Sequence, residues 1–345
     1  MNLEPPEVQQ DSSKRIACTD FAKESSGVRI SAILVSYNTC ELTTQCVETL
    51  WEQLDPARDE IIVVDNASSD ATLSDLRQKW PVQCNGQDHP NATSKEKAVR
   101  IIENPINAGF GAANNLGMAQ ARGQYFLLIN TDAFVESNAI LAMLSKLKSE
   151  KSWGVVGPKL LNRDRSLQRS CFRFPEPSQA WREAFALHYI LPDIERWSHN
   201  RDRVVDFVSG ACFLIRRSVY EAVGGFDERY FMYCEESDWQ KRITAAGWHI
   251  GFTPSAEVVH YGGGSNKTGK VHPDFFLSLD KYQLKHHGWM GLILFRLGMI
   301  TGITIRLPYR IAKLIAGDRK SLFISLRLLY RQAFCWRDRG IRGAA

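Results

Sequence analysis

Asp132 closes the run Tyr125-Phe126-Leu127-Leu128-Ile129-Asn130-Thr131-Asp132, where an apolar strand pattern stops abruptly at an acidic group. A lone carboxylate is a hard oxygen donor of the kind that Mg2+ and Mn2+ favour. Two earlier apolar runs stop in the same way, at Ser36-Tyr37-Asn38 and at Asp65-Asn66-Ala67-Ser68-Ser69-Asp70. Tyr37 offers a ring face to a base. Asn38 and Asp65 offer hydrogen bonds to base or ribose edges. Ligands of open α/β sheets bind outside the carboxyl ends of the strands, so three such ends in one sheet point to a nucleotide cleft. Each of them alone is explained as well by a cap or a turn, and Asp70 reads as a helix N-cap.

A second chemical cluster is Tyr230-Phe231-Met232-Tyr233-Cys234-Glu235-Glu236-Ser237-Asp238-Trp239. Its carboxylates Glu235, Glu236 and Asp238 follow an aromatic run. A solvated acidic turn is the bland alternative, but aromatic flanks suit a partly enclosed site where a carboxylate is tuned as a general base. The run Asn104–Gly117 is rich in small residues, which let a helix N-terminus approach a ligand closely, with Asn107 and Asn114 supplying amides. Tight turns and helix packing would use the same glycines. His260 ends the run Ala256-Glu257-Val258-Val259 and gains meaning only if it faces Asp132. The spacing Gly264-Ser-Asn-Lys-Thr-Gly269-Lys270 imitates a P-loop, but Val271 stands where the Mg2+-binding hydroxyl belongs, and no strand leads in.

The elements that must position these groups read as alternating strands and helices. Strands are expected at Arg29–Val35, Glu60–Val64, Val99–Ile102 and Tyr125–Ile129, and helices at Glu41–Leu54, Asp70–Trp80, Ala108–Arg122 and Ala139–Ser149. Pro81–Lys97 reads as an inserted polar loop. This alternation implies βαβ units and a mostly parallel sheet. Beyond it, strands at Gly154–Leu161, Val204–Ile215 and Trp248–Phe252 suggest a mixed second half.

Of 345 residues, 44% are hydrophobic, an ordinary share for a chain with a packed core. The net charge is +5, with 13 Lys+Arg against 2 Asp+Glu from Lys281 onward, so residues 1–280 carry 5 − 11 = −6. An acidic body with a basic tail points to an anionic partner for the tail. The apolar stretch near Gly291–Ile305 is interrupted by Arg296 and reads as too short for the ~20 residues of a bilayer span. It suits a helix lying in the membrane interface, or one packed on the protein's own surface. Eight cysteines without a CxxC pair suggest a reducing compartment, where the N-x-S/T triplets at Asn66, Asn91 and Asn266 are inert. Residues 1–27 are polar, have no apolar signal-peptide core and read as a mobile arm.

Taken in order, these motifs resemble glycosyltransferase family 2, the inverting enzymes with a GT-A fold, and within it the bacterial rhamnosyltransferase-like branch. They are Val35-Ser-Tyr-Asn38, Val63-Val-Asp-Asn-Ala-Ser-Ser-Asp70, Asn107-Ala-Gly-Phe-Gly-Ala-Ala-Asn-Asn115, Leu128-Ile-Asn-Thr-Asp132, Gly157-Pro-Lys-Leu160, Val208-Ser-Gly-Ala211, Gly224-Gly-Phe-Asp-Glu228, Glu235-Glu-Ser-Asp-Trp239 and His260-Tyr-Gly-Gly-Gly-Ser265. The resemblance implies an α/β fold with a Rossmann-like, mostly parallel mixed sheet. It divides the chain into an arm (1–27), a GT-A domain (28–270) and a basic, amphipathic helical extension (271–345). It implies that Ser36, Tyr37, Asn38, Asp65, Asn107, Asn114 and Asn130 bind a nucleotide sugar. Asn130-Thr131-Asp132 occupies the place of the family's Asp-x-Asp motif, with Asp132 and His260 as ligands of Mg2+ or Mn2+. Glu236 stands where the family carries its catalytic Asp, with Glu235 and Asp238 as rivals. The implied donor is dTDP-L-rhamnose, or else a UDP-hexose or UDP-galactofuranose. The implied acceptor is a glycan or lipid-linked saccharide, and the implied place is the cytoplasmic face of the membrane, with no nucleic-acid partner. A non-catalytic carbohydrate-binding protein is the alternative class.

Overall fold

The computed structural model describes residues 28–84, 97–187, 197–262 and 274–315. The mobile-arm expectation, Asn91, Asn266 and the P-loop-like run 264–270 fall outside them. The first half largely alternates strands with helices. β1 (Ile30–Ser36), α1 (Cys40–Trp51), β2 (Asp59–Asn66), α2 (Thr72–Lys79), β3 (Val82–Cys84) and β4 (Val99–Asn104) are followed by α3 (Phe110–Gln120), β5 (Tyr125–Asn130), β6 (Ala133–Val135) and α4 (Ala139–Ser149). The second half holds β7 (Trp153–Leu161), β8 (Leu167–Gln168), β9 (Cys171–Phe172), α5 (Pro177–Ala184), β10 (Arg203–Val205), β11 (Phe207–Val208) and β12 (Cys212–Arg216). It ends with α6 (Arg217–Val223), α7 (Glu235–Ala245), β13 (His249–His260), α8 (Asp274–Ile305) and α9 (Leu307–Ile315).

One large mixed sheet runs β10-β13-β7-β12-β5-β1-β2-β4-β3. β5, β1, β2, β4 and β3 are parallel to one another, whereas β12 lies antiparallel to both β5 and β7. The chain lays down β1, β2 and β4 in one direction, then crosses back to place β5 on the other side of β1. That reversal makes the β1/β5 boundary a topological switch point, where a crevice opens at the strands' carboxyl ends. Strand residues alternate between two cores, as a period of two requires. Ile30, Ala32 and Leu34 join Val47 and Leu50 of α1 and Met143 of α4 on one face. Ile33, Ile62 and Val64 join Ala113 and Met118 of α3 and Trp239 of α7 on the other.

Two expectations are corrected by the fold. The strand expected over 204–215 is three short strands, and β11 pairs with β9 in a separate small sheet. The buried side-chain amide of Gln240 takes the place of a ladder partner there: it accepts from the Val208 N–H and donates to the Val208 carbonyl, both at 2.8 Å. The expected strand 248–252 extends to His260, with a register shift against β7 between Thr253 and Glu257. Its far end pairs His260 with Ala133 of β6, which carries the histidine to the strand end bearing Asp132.

The C-terminal segment also differs from its sequence reading. The described helical stretch Phe275–Tyr309 is long and apolar enough, by length and composition alone, to cross a membrane. It is not one straight rod. Gly288 adopts φ 64°, ψ −171° and breaks α8. Asp280 and Arg296 lie sixteen positions apart, about 24 Å along a continuous helix, yet their side chains pair at 2.8 Å. The two halves therefore fold back on each other around a buried ion pair. The second half packs on α5 through glycines: a Cβ at Gly298 would sit 2.9 Å from the Ala180 Cβ, and one at Gly302 would sit 3.1 Å from Ala184.

Candidate active site

The carboxyl ends of β1 and β5 open into a cavity of about 410 Å3. Tyr37, Thr39, Asn66, Asn107, Asn130, Thr131, Asp132, Glu235, Glu236 and His260 line it. Several non-glycine residues around it hold left-handed backbones, a conformation that costs about 1–3 kcal/mol and persists only where packing enforces it. Asn38 (φ 54°) and Ala67 (φ 64°) follow β1 and β2, and Tyr233 (φ 68°) and Cys234 (φ 64°) lead into α7.

Four residues expected at a ligand are used by the fold instead. The Ser36 hydroxyl is buried between those of Thr39 and Thr43. Asn38 ties the ends of β1 and β2 together, its Oδ1 accepting from the Ser69 N–H at 2.7 Å and its own N–H donating to Ser68 Oγ at 3.0 Å. Asn114 donates back to the Phe110 carbonyl within α3. Asp238 is fully buried and engaged by Arg242 at 3.1 Å, Lys285 at 2.7 Å and His286 at 2.8 Å. Burial alone would push Asp238 up, but the bonds from His286 and Lys285 hold it below its ordinary value. A carboxylate so engaged is a poor proton acceptor, which removes it as a rival base.

Asp65 is 2% exposed and does not line the cavity. Its Oδ2 accepts from the Ser68 N–H, and its Oδ1 is buried without a partner, an acceptor of the kind a base N–H needs. Tyr37, at 41% exposure, presents its ring at the rim. Asn107 accepts from Asn66 Nδ2 at 2.8 Å and from the Gly109 N–H at 3.1 Å. Asn66 also accepts from Asn104 and from the Ala108 N–H, so one buried amide shapes the whole loop into α3. It is committed to these bonds and 2% exposed.

The glycines of that loop serve close packing within the chain. Gly109 has φ 88°, and a Cβ there would collide with the Phe231 carbonyl, which accepts from the Phe110 N–H at 3.0 Å. Gly117 sits against Ile33 and Val64, seating α3 on the sheet.

Glu235 and Glu236 start α7 and line the same cavity. Each keeps Oε2 buried without a hydrogen-bond partner. Burial pushes both carboxyls up; the charge of Glu236 pushes Glu235 further, well above its ordinary value. The C-terminal extension braces this segment from outside. Ser278 donates to the Met232 carbonyl, Lys281 to the Arg229 carbonyl, and Tyr282 packs against Tyr230 and Cys234. The division expected near residue 271 thus separates α8 from a segment it physically supports.

His260 Nε2 lies 3.2 Å from Asp132 Oδ1, the proximity on which its role depended. Asp132 is 6% exposed, and the neighbouring Thr131 hydroxyl meets that of Thr39 at 3.1 Å, joining the ends of β5 and β1. Sequence reasoning assigned no role to Thr39, Asn66, Ser209-Gly210 or Met232-Tyr233, all of which line the cavity. Every one of them stands inside or beside a motif that was visible in the sequence.

The chain resembles known proteins in both sequence and shape. It is 29% identical over 226 residues to the N-acetylglucosaminyl-diphospho-decaprenol L-rhamnosyltransferase of Mycobacterium tuberculosis, covering 58% of this chain and 66% of that one. It is 29% identical over 187 residues to the rhamnosyltransferase WbbL of Escherichia coli K12, covering 51% of this chain and 67% of that one. The chain thus spans about two thirds of the length of these relatives. Among solved structures, GalNAc-T7, crystallised with UDP, GalNAc and Mn2+, superposes with a TM-score of 0.57 at 14% identity, covering 88% of this chain and 55% of that one. That likeness speaks for the GT-A fold. The sequence profile described as "Glycosyl transferase family 2" matches residues 31–224, more than half of the chain, and the chain belongs to that family.

Proposed function

We propose that the chain transfers a sugar from a nucleotide-sugar donor to an acceptor hydroxyl, with inversion at the anomeric carbon. The observation that carries this is what one cavity brings together: the Asp132–His260 pair and the buried carboxyls of Glu235 and Glu236. The base of the nucleotide stacks on Tyr37 at the cavity rim. Asn107 and Asn130 contact the sugar-phosphate portion. Glu236 takes the proton of the acceptor hydroxyl as its oxygen attacks from the face opposite the leaving group, and general-base help of this kind contributes about 10²–10⁴ in rate.

A divalent cation fits the donors present. A carboxylate oxygen and an imidazole nitrogen lie 3.2 Å apart, and among the described residues no group of three His, Cys, Asp or Glu could hold a metal without help. Asp132 and His260 would hold Mg2+ or Mn2+, with substrate oxygens and water as the remaining ligands. The cation would supply charge neutralisation on the leaving diphosphate. The relative solved with Mn2+ supports this expectation.

The two rhamnosyltransferases among the relatives favour dTDP-L-rhamnose as donor and a lipid-linked saccharide as acceptor, with a UDP-hexose or UDP-galactofuranose as alternatives. The C-terminal extension places the enzyme against the cytoplasmic membrane surface. Met290, Leu294, Leu297 and Ile305 are exposed apolar residues on the second half of α8, beside the glycine face that packs on α5, and the chain beyond residue 280 is strongly basic. Binding to anionic liposomes at low salt tests this placement, and failure to bind refutes it. A panel of nucleotide sugars, with and without Mn2+, tests the function. Cation-dependent release of one nucleoside diphosphate is expected, and binding of donors without any release would mark the protein as a binder.

A further inference from the structure

We propose that Gln168 is a positioning residue that sets which ring nitrogen of His260 faces the metal site. The argument is a chain of hydrogen bonds whose directions are all forced. It begins at the Leu167 carbonyl, which can only accept. Asn162 Nδ2 lies 3.4 Å from that oxygen and 2.9 Å from Ser166 Oγ, so the amide nitrogen of Asn162 points there and its Oδ1 points away. Gln168 Nε2 then donates to Asn162 Oδ1 at 2.9 Å and to the His260 carbonyl at 3.2 Å. With its nitrogen committed to two acceptors, Gln168 presents Oε1 to His260 Nδ1 at 2.7 Å. An amide oxygen has no proton to give, so Nδ1 carries the hydrogen.

The consequence falls on the other nitrogen. In a neutral ring with Nδ1–H, Nε2 holds a lone pair, and that lone pair is directed at Asp132 Oδ1 from 3.2 Å. A lone pair facing a carboxylate is unfavourable unless a proton or a metal cation stands between them, and a metal bound there takes the place of the proton. The opposite tautomer would turn an N–H toward Asp132 and close the site to a metal. Metal-bound histidines commonly donate their second ring N–H to an outer partner, which fixes ring and tautomer. Here the partner is an amide on β8, a two-residue strand that pairs with β7 through Leu160 and Gln168. The hairpin joining β7 and β8 therefore has a use beyond closing the sheet: it holds the acceptor that aims His260.

The inference rests on the metal-site reading above, and its test separates the two. Binding of Mn2+ is measured from the free-ion electron paramagnetic resonance signal, alone and with dTDP, UDP or GDP, for wild type and for the His260→Ala, Gln168→Leu and Gln168→Glu variants. Wild type is expected to bind and His260→Ala to weaken binding. Gln168→Leu, which removes the acceptor, is expected to weaken it by about 10–100-fold. Gln168→Glu, which keeps an acceptor for Nδ1–H but loses the donor to Asn162 Oδ1 and the His260 carbonyl, is expected to bind more tightly than Gln168→Leu and less tightly than wild type. If wild type binds no Mn2+, or His260→Ala binds like wild type, the metal reading fails and the inference with it. If His260→Ala loses affinity while Gln168→Leu does not, only the inference fails. Nitrogen-15 shifts of the imidazole in wild type give an answer free of any folding defect: the neutral His260 ring is expected as Nδ1–H, and an Nε2–H ring overturns the proposal.

Discussion

Replacing Asp238 tests how the C-terminal helices support the catalytic segment. The carboxylate has no exposed surface, and its three partners are each only partly exposed, Arg242 at 25%, Lys285 at 20% and His286 at 13% of the side chain. Removing one partner from a buried pair costs about 3–5 kcal/mol. Water reaches the cations here, so about 2–4 kcal/mol is the better expectation for Asp238→Asn. For a chain of this size that is a fall in Tm of roughly 3–6 °C. The sign with pH follows from the depressed carboxyl. Its contribution is present above the ordinary Asp value of about 3.9 and is lost only as pH falls through the lower folded value. The gap between wild type and Asp238→Asn should therefore persist from about pH 5 to pH 8 and close in acid. Because α7 also carries Glu236, kcat should fall while nucleoside diphosphate affinity stays near wild type. Thermal unfolding across pH, with turnover and nucleotide titration, makes the comparison. A variant melting within about 1 °C of wild type at pH 7 refutes the bracing argument.

Three further outcomes follow from the same geometry. Glu235 is raised above its unfolded value by burial and by Glu236, so the stability it permits is full below about pH 4 and is lost as pH rises through the folded value. Glu235→Gln should therefore raise Tm at about pH 8 and leave it unchanged near pH 4, and equal Tm values at both would sink the argument. The raised Glu236 carboxyl should place the acid limb of the rate profile above the ordinary Glu value of about 4.3, which a pH–rate series reads directly. Gly109→Ala forces a side chain onto φ 88° and into the Phe231 carbonyl, and should cost at least about 2 kcal/mol in denaturant unfolding.

Much of the fold was legible because its signals are local. The runs that form β1, β2, β4 and β5 are short, apolar and separated by helical spacing, so most of the parallel half could be read directly, while the edge strand β3 fell inside the run 81–97 read as a polar loop. The antiparallel half could not. The interruption at Ser209-Gly210 is stabilised by Gln240, thirty-two residues away from Val208, and no local pattern announces such a bond. The fold-back of α8 depends on one glycine and on an ion pair between distant positions, so Arg296 read as a break in an apolar run and not as half of a buried pair. In the site, residue type at a strand end identified Tyr37, Asn130 and Asp132 as cavity-lining. The same signal overcalled Ser36 and Asn38, because hydroxyls and amides at strand ends serve turns as readily as ligands. Glu235, Glu236 and Asp238 looked equivalent in sequence. Helical geometry separates them, pointing the first two into the cavity and Asp238 toward Lys285 and His286.

The central claim is that Glu236 acts as the base of a sugar transfer performed in this cavity. Its most direct test is single-turnover nucleoside diphosphate release by Glu236→Gln, beside a titration of the same nucleotide. Release slowed by about 10²–10⁴-fold with nucleotide affinity unchanged is the expected result. Release at a rate near wild type would contradict the account.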